Sequence, residues 1–337
     1  MAGKPTLGSV AKEAGVSIPT VSQVMRGTGR ISEQTRRKVL QAAKKLHYVP
    51  DSRAAAMRSG ENREIGFVIN QISNPFNAEV IFGVSDLLEA DGYLVSVLDA
   101  RDDTQRQGRH LEAFIRNGRG GLLWLPALDT PLETFSLLRA HSIPVVTFLR
   151  RTEMGGFDHV GIRNAEATVC ATRHLIERGH RHIAYLGGDI MTSVRRERID
   201  GYTTALAAAN LGPPIIWDCQ DNKLAGLMAM QALRLAHPDV TGVVCNGDTV
   251  ALGACLALQR DGLVPGEALS IVGFDDIQDA AVATPPLTTM AVSPYELGRR
   301  LARVLLERIR EPNAPVTTSE ISAELVVRST TGSVVAD

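Results

Sequence analysis

At 337 residues the chain is too long for one average domain and long enough to bury sizeable cores. Its net charge of −1 conceals an asymmetry: residues 1–63 carry twelve Lys/Arg against four Asp/Glu, a net +8, and the rest carry 24 against 33, a net −9. A basic head on an acidic body suits a polyanion-binding module joined to a soluble body, and the absence of a leader-like start, of a bilayer-length apolar run and of any C-x-x-C pair speaks against a membrane or secreted protein and for a reducing cytoplasm.

The first predicted elements lie in LGSVAKEAGVSIPTVSQVMRG. Leu7, Val10, Ala11 and Ala14 fall on one helical face. Gly15 can take the positive φ that ends that helix. Ser17 is a good N-cap for a second helix, with Pro19 in its first turn, Val21 and Val24 inward and Gly27 at its end. Val16 plugs the turn. The pattern is that of a helix-turn-helix, whose second helix can enter a DNA major groove, although an ordinary helical hairpin reads the same way. Ser32 can cap a third helix with the apolar stripe Val39, Leu40, Ala43 and Leu46, closed by Pro50. The segment 51–62 reads as a linker with a helix too short to stand alone in water.

From Glu64 onward strands and helices alternate. Strands are expected at 65–70, 93–99, 121–126, 143–149, 159–162, 182–188, 214–217, 241–246 and 269–276. Helices are expected from Pro75, near Thr104, near Pro131, from Asn164, through Arg198, near Leu224 and from Asp248. Val/Ile/Leu-rich strands between amphipathic helices argue for an α/β body of doubly wound parallel sheets. REIGFVIN (63–70) and RHIAYLGG (181–188) open two similar series, so two facing lobes are expected, with a cleft at the carboxyl ends of their strands.

Taken together, TLGSVAKEAGVSIPTVSQVMRG, GRISEQTRRKVLQAAKKLHYVP, IGFVINQISNPF, HLIERGHRHIAYLGG, RRERIDGY, GDTVALG, IVGFDD, PPLTT and ELG resemble, in order and spacing, the lactose/galactose repressor (LacI/GalR) family of transcriptional regulators. The SNPF, GRIS and RRERIDGY wording leans toward the maltose-regulator type. The resemblance implies a helix-turn-helix head (1–50), a hinge helix or linker (51–62) and an effector-binding and dimerisation body (63–337). The body resembles a periplasmic binding protein, with lobes at about 63–162 plus 291–320 and 163–290 plus 321–330. It further implies a cytoplasmic homodimeric repressor that binds double-stranded operator DNA, is switched by a small-molecule effector and needs no cofactor.

Residue by residue, the resemblance places Ile18, Pro19 and Gln23 at base edges, with Gln23 suited to adenine. Thr6, Ser17, Thr20, Ser22, Ser32 and Thr35 fall at phosphates or act as helix caps, with Arg26 and Arg30 adding charge. Met57 falls where the family wedges a leucine between base pairs, against a simpler role in helix packing. Ala55 replaces an arginine often found in the family. The effector site is implied at Asn74, Phe76, Arg150, Arg198, Asp248 and Asp275. Three departures from the family stand out: Arg163 for an aspartate, Arg150 after strand 143–149 where it can face the cleft, and no aromatic near Asn222; Gly247 also replaces an asparagine. Clustering of Arg150, Arg163, Arg195, Arg196 and Arg198 at one cleft would favour an anionic effector such as a sugar phosphate or sugar acid; paired or solvated arginines would not. The dimer surface is expected at VALGAC (250–255) and AAVA (280–283). No P-loop, dinucleotide fingerprint or nucleophile elbow is present. His174, His180 and His182 lack the carboxylate spacing of a metal site, so neither an enzyme nor a metalloprotein is expected.

Overall fold

The computed structural model describes residues 4–50, 62–152 and 156–334, and divides into a head (1–62) and a body (63–337). The expected linker helix and Met57 lie outside the described residues.

In the head, α1 (Leu7–Ala14), α2 (Ile18–Arg26) and α3 (Glu33–Lys45) each begin at a hydroxyl N-cap, respectively Thr6, Ser17 and Ser32. Gly15 turns the chain out of α1 at φ 65°, a conformation that a Cβ would penalise. Val10, Ala11, Val21, Val24, Val39, Ala42 and Ala43 form the core, with Val16 packed against it. Leu40, expected in the apolar stripe of α3, is instead half in water, because Ala42 and Ala43 turn inward and leave position 40 on the outer face.

In the body, β1 (Glu64–Ile69), α4 (Pro75–Ala90), β2 (Leu94–Asp99), α5 (Thr104–Arg116), β3 (Gly121–Trp124), α6 (Leu132–Ala140), β4 (Val145–Phe148) and β5 (Asp158–Ile162) come first. Next are α7 (Asn164–Glu177), β6 (Ile183–Leu186), α8 (Ser193–Ala208), β7 (Ile215–Trp217), α9 (Lys223–Ala236), β8 (Gly242–Cys245), α10 (Asp248–Arg260), β9 (Ser270–Asp275), α11 (Gln278–Val282) and β10 (Thr288–Ala291). The chain closes with α12 (Pro294–Arg310), β11 (Thr318–Ile321) and β12 (Glu324–Val326).

Two six-stranded sheets result, ordered β11-β5-β4-β3-β1-β2 and β12-β10-β9-β8-β6-β7. The first is parallel throughout, and the second is parallel except for the antiparallel edge strand β12. β1 and β6 occupy equivalent places, which gives the doubled opening its structural meaning. The chain passes between sheets three times: from β5 into α7, from β10 into α12, and from β11 into β12.

Alternation along the strands serves both faces of a sheet. In β1, Ile65, Phe67 and Ile69 pack toward Val80, Val84 and Leu301 of α4 and α12, whereas Val68 joins Leu122, Trp124, Phe114 and Phe135 on the other face. α4 and α12 touch through glycines. A Cβ on Gly298 would lie 2.1 Å from the Val80 carbonyl oxygen, and one on Gly83 1.9 Å from that of Tyr295. Gly108 of α5, by contrast, has open space around it. Gly298→Ala should therefore destabilise the body by at least the ~1–3 kcal/mol of ordinary overpacking, while Gly108→Ala should be neutral or stabilising by up to ~1 kcal/mol. Urea unfolding of the two variants checks this, and equal effects would refute the close approach.

Candidate functional site

The head presents its second helix to solvent. Ile18 is 51% exposed and Pro19 and Arg26 are exposed, an unusual place for a large apolar side chain. The hydroxyls are already used as caps. Ser17 Oγ accepts from Thr20 N–H at 3.3 Å and lies 2.9 Å from Thr20 Oγ1; Ser32 and Thr35 repeat the arrangement at 3.2 and 2.9 Å. Thr6 and Ser9 form a capping box. These caps hold the N-terminal turns of α1, α2 and α3 in exposed positions. Arg26 Nε donates to the Ser22 carbonyl at 3.1 Å, Ser22 and Gln23 are half-buried, and Arg30 is exposed.

In the body a cleft of about 650 Å³ opens where β1–β4 and β6–β9 end. That position is dictated by the parallel sheets, whose carboxyl edges face each other across the cleft. Asn74, Phe76, Arg150, Arg198 and Asp275 all line it. Asn74 caps α4 by accepting from Phe76 N–H at 3.0 Å. Phe76 lies parallel to Phe148, ring centres 6.4 Å apart, so it forms the apolar wall.

Arg198 anchors the opposite wall. Its Nε donates to Asn164 Oδ1 at 3.0 Å and its Nη1 donates to the Asn246 carbonyl. Its guanidinium centre stacks 3.6 Å from the centre of the Phe274 ring. Asp275, at the end of β9 with φ 115°, is 9% exposed. Its nearest cation is Arg198 Nη2 at 3.7 Å, and among the described residues its carboxylate makes no hydrogen bond. Burial pushes Asp275 up to about 7, against the lowering pull of Arg198 and with help from Asp221 and Glu79.

Asp248, although it precedes Thr249 in the cleft wall, is fully buried and absent from the wall itself. Its Oδ1 accepts from Thr289 Oγ1 at 2.6 Å and its Oδ2 from Ile277 N–H at 2.9 Å. Burial and the neighbouring Asp275 hold it well above the usual carboxylate range. It is an internal tie beneath the 275–277 turn, which corrects its expected place among the effector contacts.

The arginines are matched by carboxylates. Arg150 makes a two-pronged pair with Asp102 at 2.6 and 2.8 Å; burial raises Asp102, but the Arg150 hydrogen bonds and charge and the Leu128 N–H outweigh it and leave it below its ordinary value. Arg195 pairs with Asp218. Arg163 reaches Glu166 at 3.6 Å, Arg196 is exposed, and neither lines the cleft. Of the two alternatives left open for these arginines, the paired or solvated one fits: Arg150 and Arg195 are paired, and Arg163 and Arg196 lie outside the cleft.

Among the cleft residues outside the sequence expectations are Asn246 and Asn70. Asn246 donates from one amide nitrogen to both oxygens of Asp221, at 2.8 and 2.9 Å, and accepts from Tyr185 Oη at 2.6 Å. Asn70 leaves a buried Oδ1 acceptor without a partner among the described residues. Nothing local marks either one; both become polar floor only through the ends of β8 and β1. The three histidines each have protein partners: His174 with Thr331, His180 with Thr241 and Gly332, and His182 with Asp239.

Residues 6–51 match the bacterial regulatory proteins of the lacI family, and residues 172–331 match a periplasmic binding protein-like domain. The chain is 32% identical to a ribose operon repressor of Haemophilus influenzae, over 96% of this chain and 97% of that protein. It is 30% identical to the maltose regulon regulatory protein MalI of Escherichia coli, over 96% and 98% respectively. A solved complex of the transcriptional regulator CelR with cellobiose superposes with a TM-score of 0.72 at 29% identity, covering 97% of this chain and 99% of that one.

If Asp248 is an internal tie, Asp248→Ala should cost about 1–3 kcal/mol for each of the two buried donors it strands. Urea unfolding of the body measures that loss; unchanged stability would return Asp248 to the cleft contacts.

Proposed function

This chain belongs to the lacI family of bacterial regulatory proteins, a family of DNA-binding transcriptional repressors rather than enzymes, and on that premise we propose that its operator binding is switched by a neutral, polyhydroxylated small molecule held in the body's cleft. The observation that carries this reading is the Asp275 carboxylate, 91% buried by its 9% exposure and without a hydrogen bond among the described residues, beside the Arg198 guanidinium. A buried carboxylate without donors is costly; effector hydroxyls would supply them. Arg198 offers donors beside the Asp275 acceptor, which suits groups that both give and take hydrogen bonds. Arg150 and Arg195 are already neutralised by Asp102 and Asp218, which disfavours a phosphate or sugar acid. The cellobiose in the CelR complex and the ribose operon named for the Haemophilus relative point the same way.

On the DNA side, Ile18, Pro19 and Gln23 are the base-reading residues of α2. Thr6, Ser17, Thr20, Ser22, Ser32 and Thr35, with Arg26 and Arg30, face phosphates. Capping and phosphate contact are compatible, because a hydroxyl oxygen has two lone pairs and one proton. Met57, as the minor-groove wedge, and the hinge segment complete the reading.

The repressor acts as a homodimer. VALGAC does not supply the surface: Val250–Cys255 are buried under α9 within the chain, since Gly253 packs against the Lys223 carbonyl. Of AAVA, Ala280 is buried and Val282 is 78% exposed. Val282 stands with exposed Leu224 and Met228 of α9 near the Lys223–Asp279 ion pair that joins α9 to α11, and Phe82 of α4 is likewise exposed. These exposed apolar side chains are the dimer surface.

Two measurements test the reading. Thermal unfolding of the full chain against ribose, cellobiose, ribose 5-phosphate and gluconate should show stabilisation with a neutral sugar, of about 2.7 kcal/mol at one hundred times its Kd, and Asp275→Asn should remove it. Stabilisation by the two anions alone would overturn the neutral reading. Sedimentation of Met228→Asp/Val282→Asp should show monomers where the parent chain is a dimer; an unchanged dimer would move the interface elsewhere.

A further inference from the structure

Outside the segments where the chain crosses between the lobes, one hydrogen bond among the described residues joins the two lobes of the body. Gln278 N–H, at the start of α11, donates to Glu79 Oε1 of α4 at 3.2 Å. Glu79 lies one turn from the cleft wall residue Phe76, and Gln278 follows the turn that carries Asp275. The contact thus joins the first lobe to the turn that carries Asp275.

Its surroundings are unfavourable to a negative charge. Across from Glu79 stand Asp275, Asp276 and Asp279 of the second lobe. Each has a cation of its own, which offsets part of its repulsion of Glu79: Arg198 lies 3.7 Å from Asp275, Arg328 pairs with Asp276 at 2.7 Å and Lys223 pairs with Asp279 at 2.5 Å. Half of the contact attracts, through the backbone N–H, and half repels, through the opposing carboxylates.

We infer that Glu79 is a proton-sensitive latch between the lobes, in which loss of its negative charge strengthens lobe closure. The direction of its titration agrees: burial raises Glu79, the Gln278 N–H lowers it, Asp276 and Asp279 raise it further, and the net shift is upward. A carboxyl whose affinity for protons is higher in the joined state stabilises that state below its ordinary range, and the stabilisation fades as pH rises through the raised value. Closure therefore takes up a proton. Any effector that binds the joined lobes better than the parted ones gains affinity as pH falls, and the latch biases the same equilibrium with no effector present. Only the consequence for affinity rests on the proposed cleft function; the latch is measured without an effector.

The test is amide hydrogen exchange at Gln278 in the full chain, corrected for intrinsic exchange, at pH 5.5 and 7.5. In the parent chain protection should be greater at pH 5.5. Glu79→Gln, which keeps a carbonyl acceptor and drops the charge, should match or exceed the parent's protection at both pH values and show a smaller pH dependence, the remainder being that of Asp275, which burial pushes up to about 7. Glu79→Ala should lose about 2- to 12-fold of protection, the span of one ordinary hydrogen bond. Lower protection in Glu79→Gln than in the parent at pH 7.5 would show that the charge holds the lobes together and overturn the latch. So would parent-like protection in Glu79→Ala. A lack of sugar binding in any variant would bear on the effector reading alone.

Discussion

The second lobe's half of the cleft depends on how one buried cation is satisfied. Arg198 is 6% exposed, and a buried guanidinium is costly unless its donors are met. Its neighbours must therefore come to it: the first residue of α7, the end of β8, and the aromatic and acidic residues that close β9. Each of these brings a partner of its own. Asn164 donates to Glu197 at 2.9 Å, and Asn246 holds Asp221 and receives the Tyr185 hydroxyl. The outcome is a polar floor fixed before any ligand arrives, with Asp275 left as its unsatisfied member. Preorganisation of this kind reduces the ordering cost of binding. The first lobe is arranged differently, its Arg150–Asp102 pair being complete within itself and tied to the Pro126 carbonyl and the Leu128 amide.

Where the physics was local, the sequence was readable. Thr6, Ser17 and Ser32 cap the head helices because an N-cap needs only a hydroxyl and the amide three residues on. The α/β class and the alternation of elements followed from strand composition, though the expected strands overran their ends. Residues such as Asn70 and Gly188 leave the ladder to form the cleft rim. Distant pairing was not readable. Arg150 and Asp102 are separated by 48 residues, and nothing near either one announces the other. Asp248 and Asp275 look alike as motif aspartates. Their fates diverge because Asp275 sits at φ 115°, which turns it to the cleft, while Asp248 begins a helix that points it beneath the same turn. VALGAC reads as surface or core equally well, and only the approach of Gly253 to α9 decides for core.

The match between paired charges and fold also explains why counting arginines misleads. A guanidinium near a cleft is available to a ligand only if no carboxylate has claimed it. Asp102 and Asp218 reach their arginines because parallel strands deliver successive loops to the same edge, where acidic and basic side chains from β2, β4, β7 and α8 converge. A sheet that assembles a site also tends to neutralise it.

The three passages between the sheets bear on how the protein is made. The first lobe's sheet receives its edge strand β11, and the covering helix α12, from residues 294–321, after nearly all of the second lobe has been synthesised. Until then Ile65, Phe67 and Val80 lack the face of α12 that buries them, and β5 shows an open edge. On the ribosome the earlier lobe is thus the later one to be finished. Its apolar face stays uncovered while more than a hundred residues emerge. The nascent chain has a long interval in which to need a chaperone, and a release that stops short of α12 would yield an aggregation-prone fragment rather than a working half.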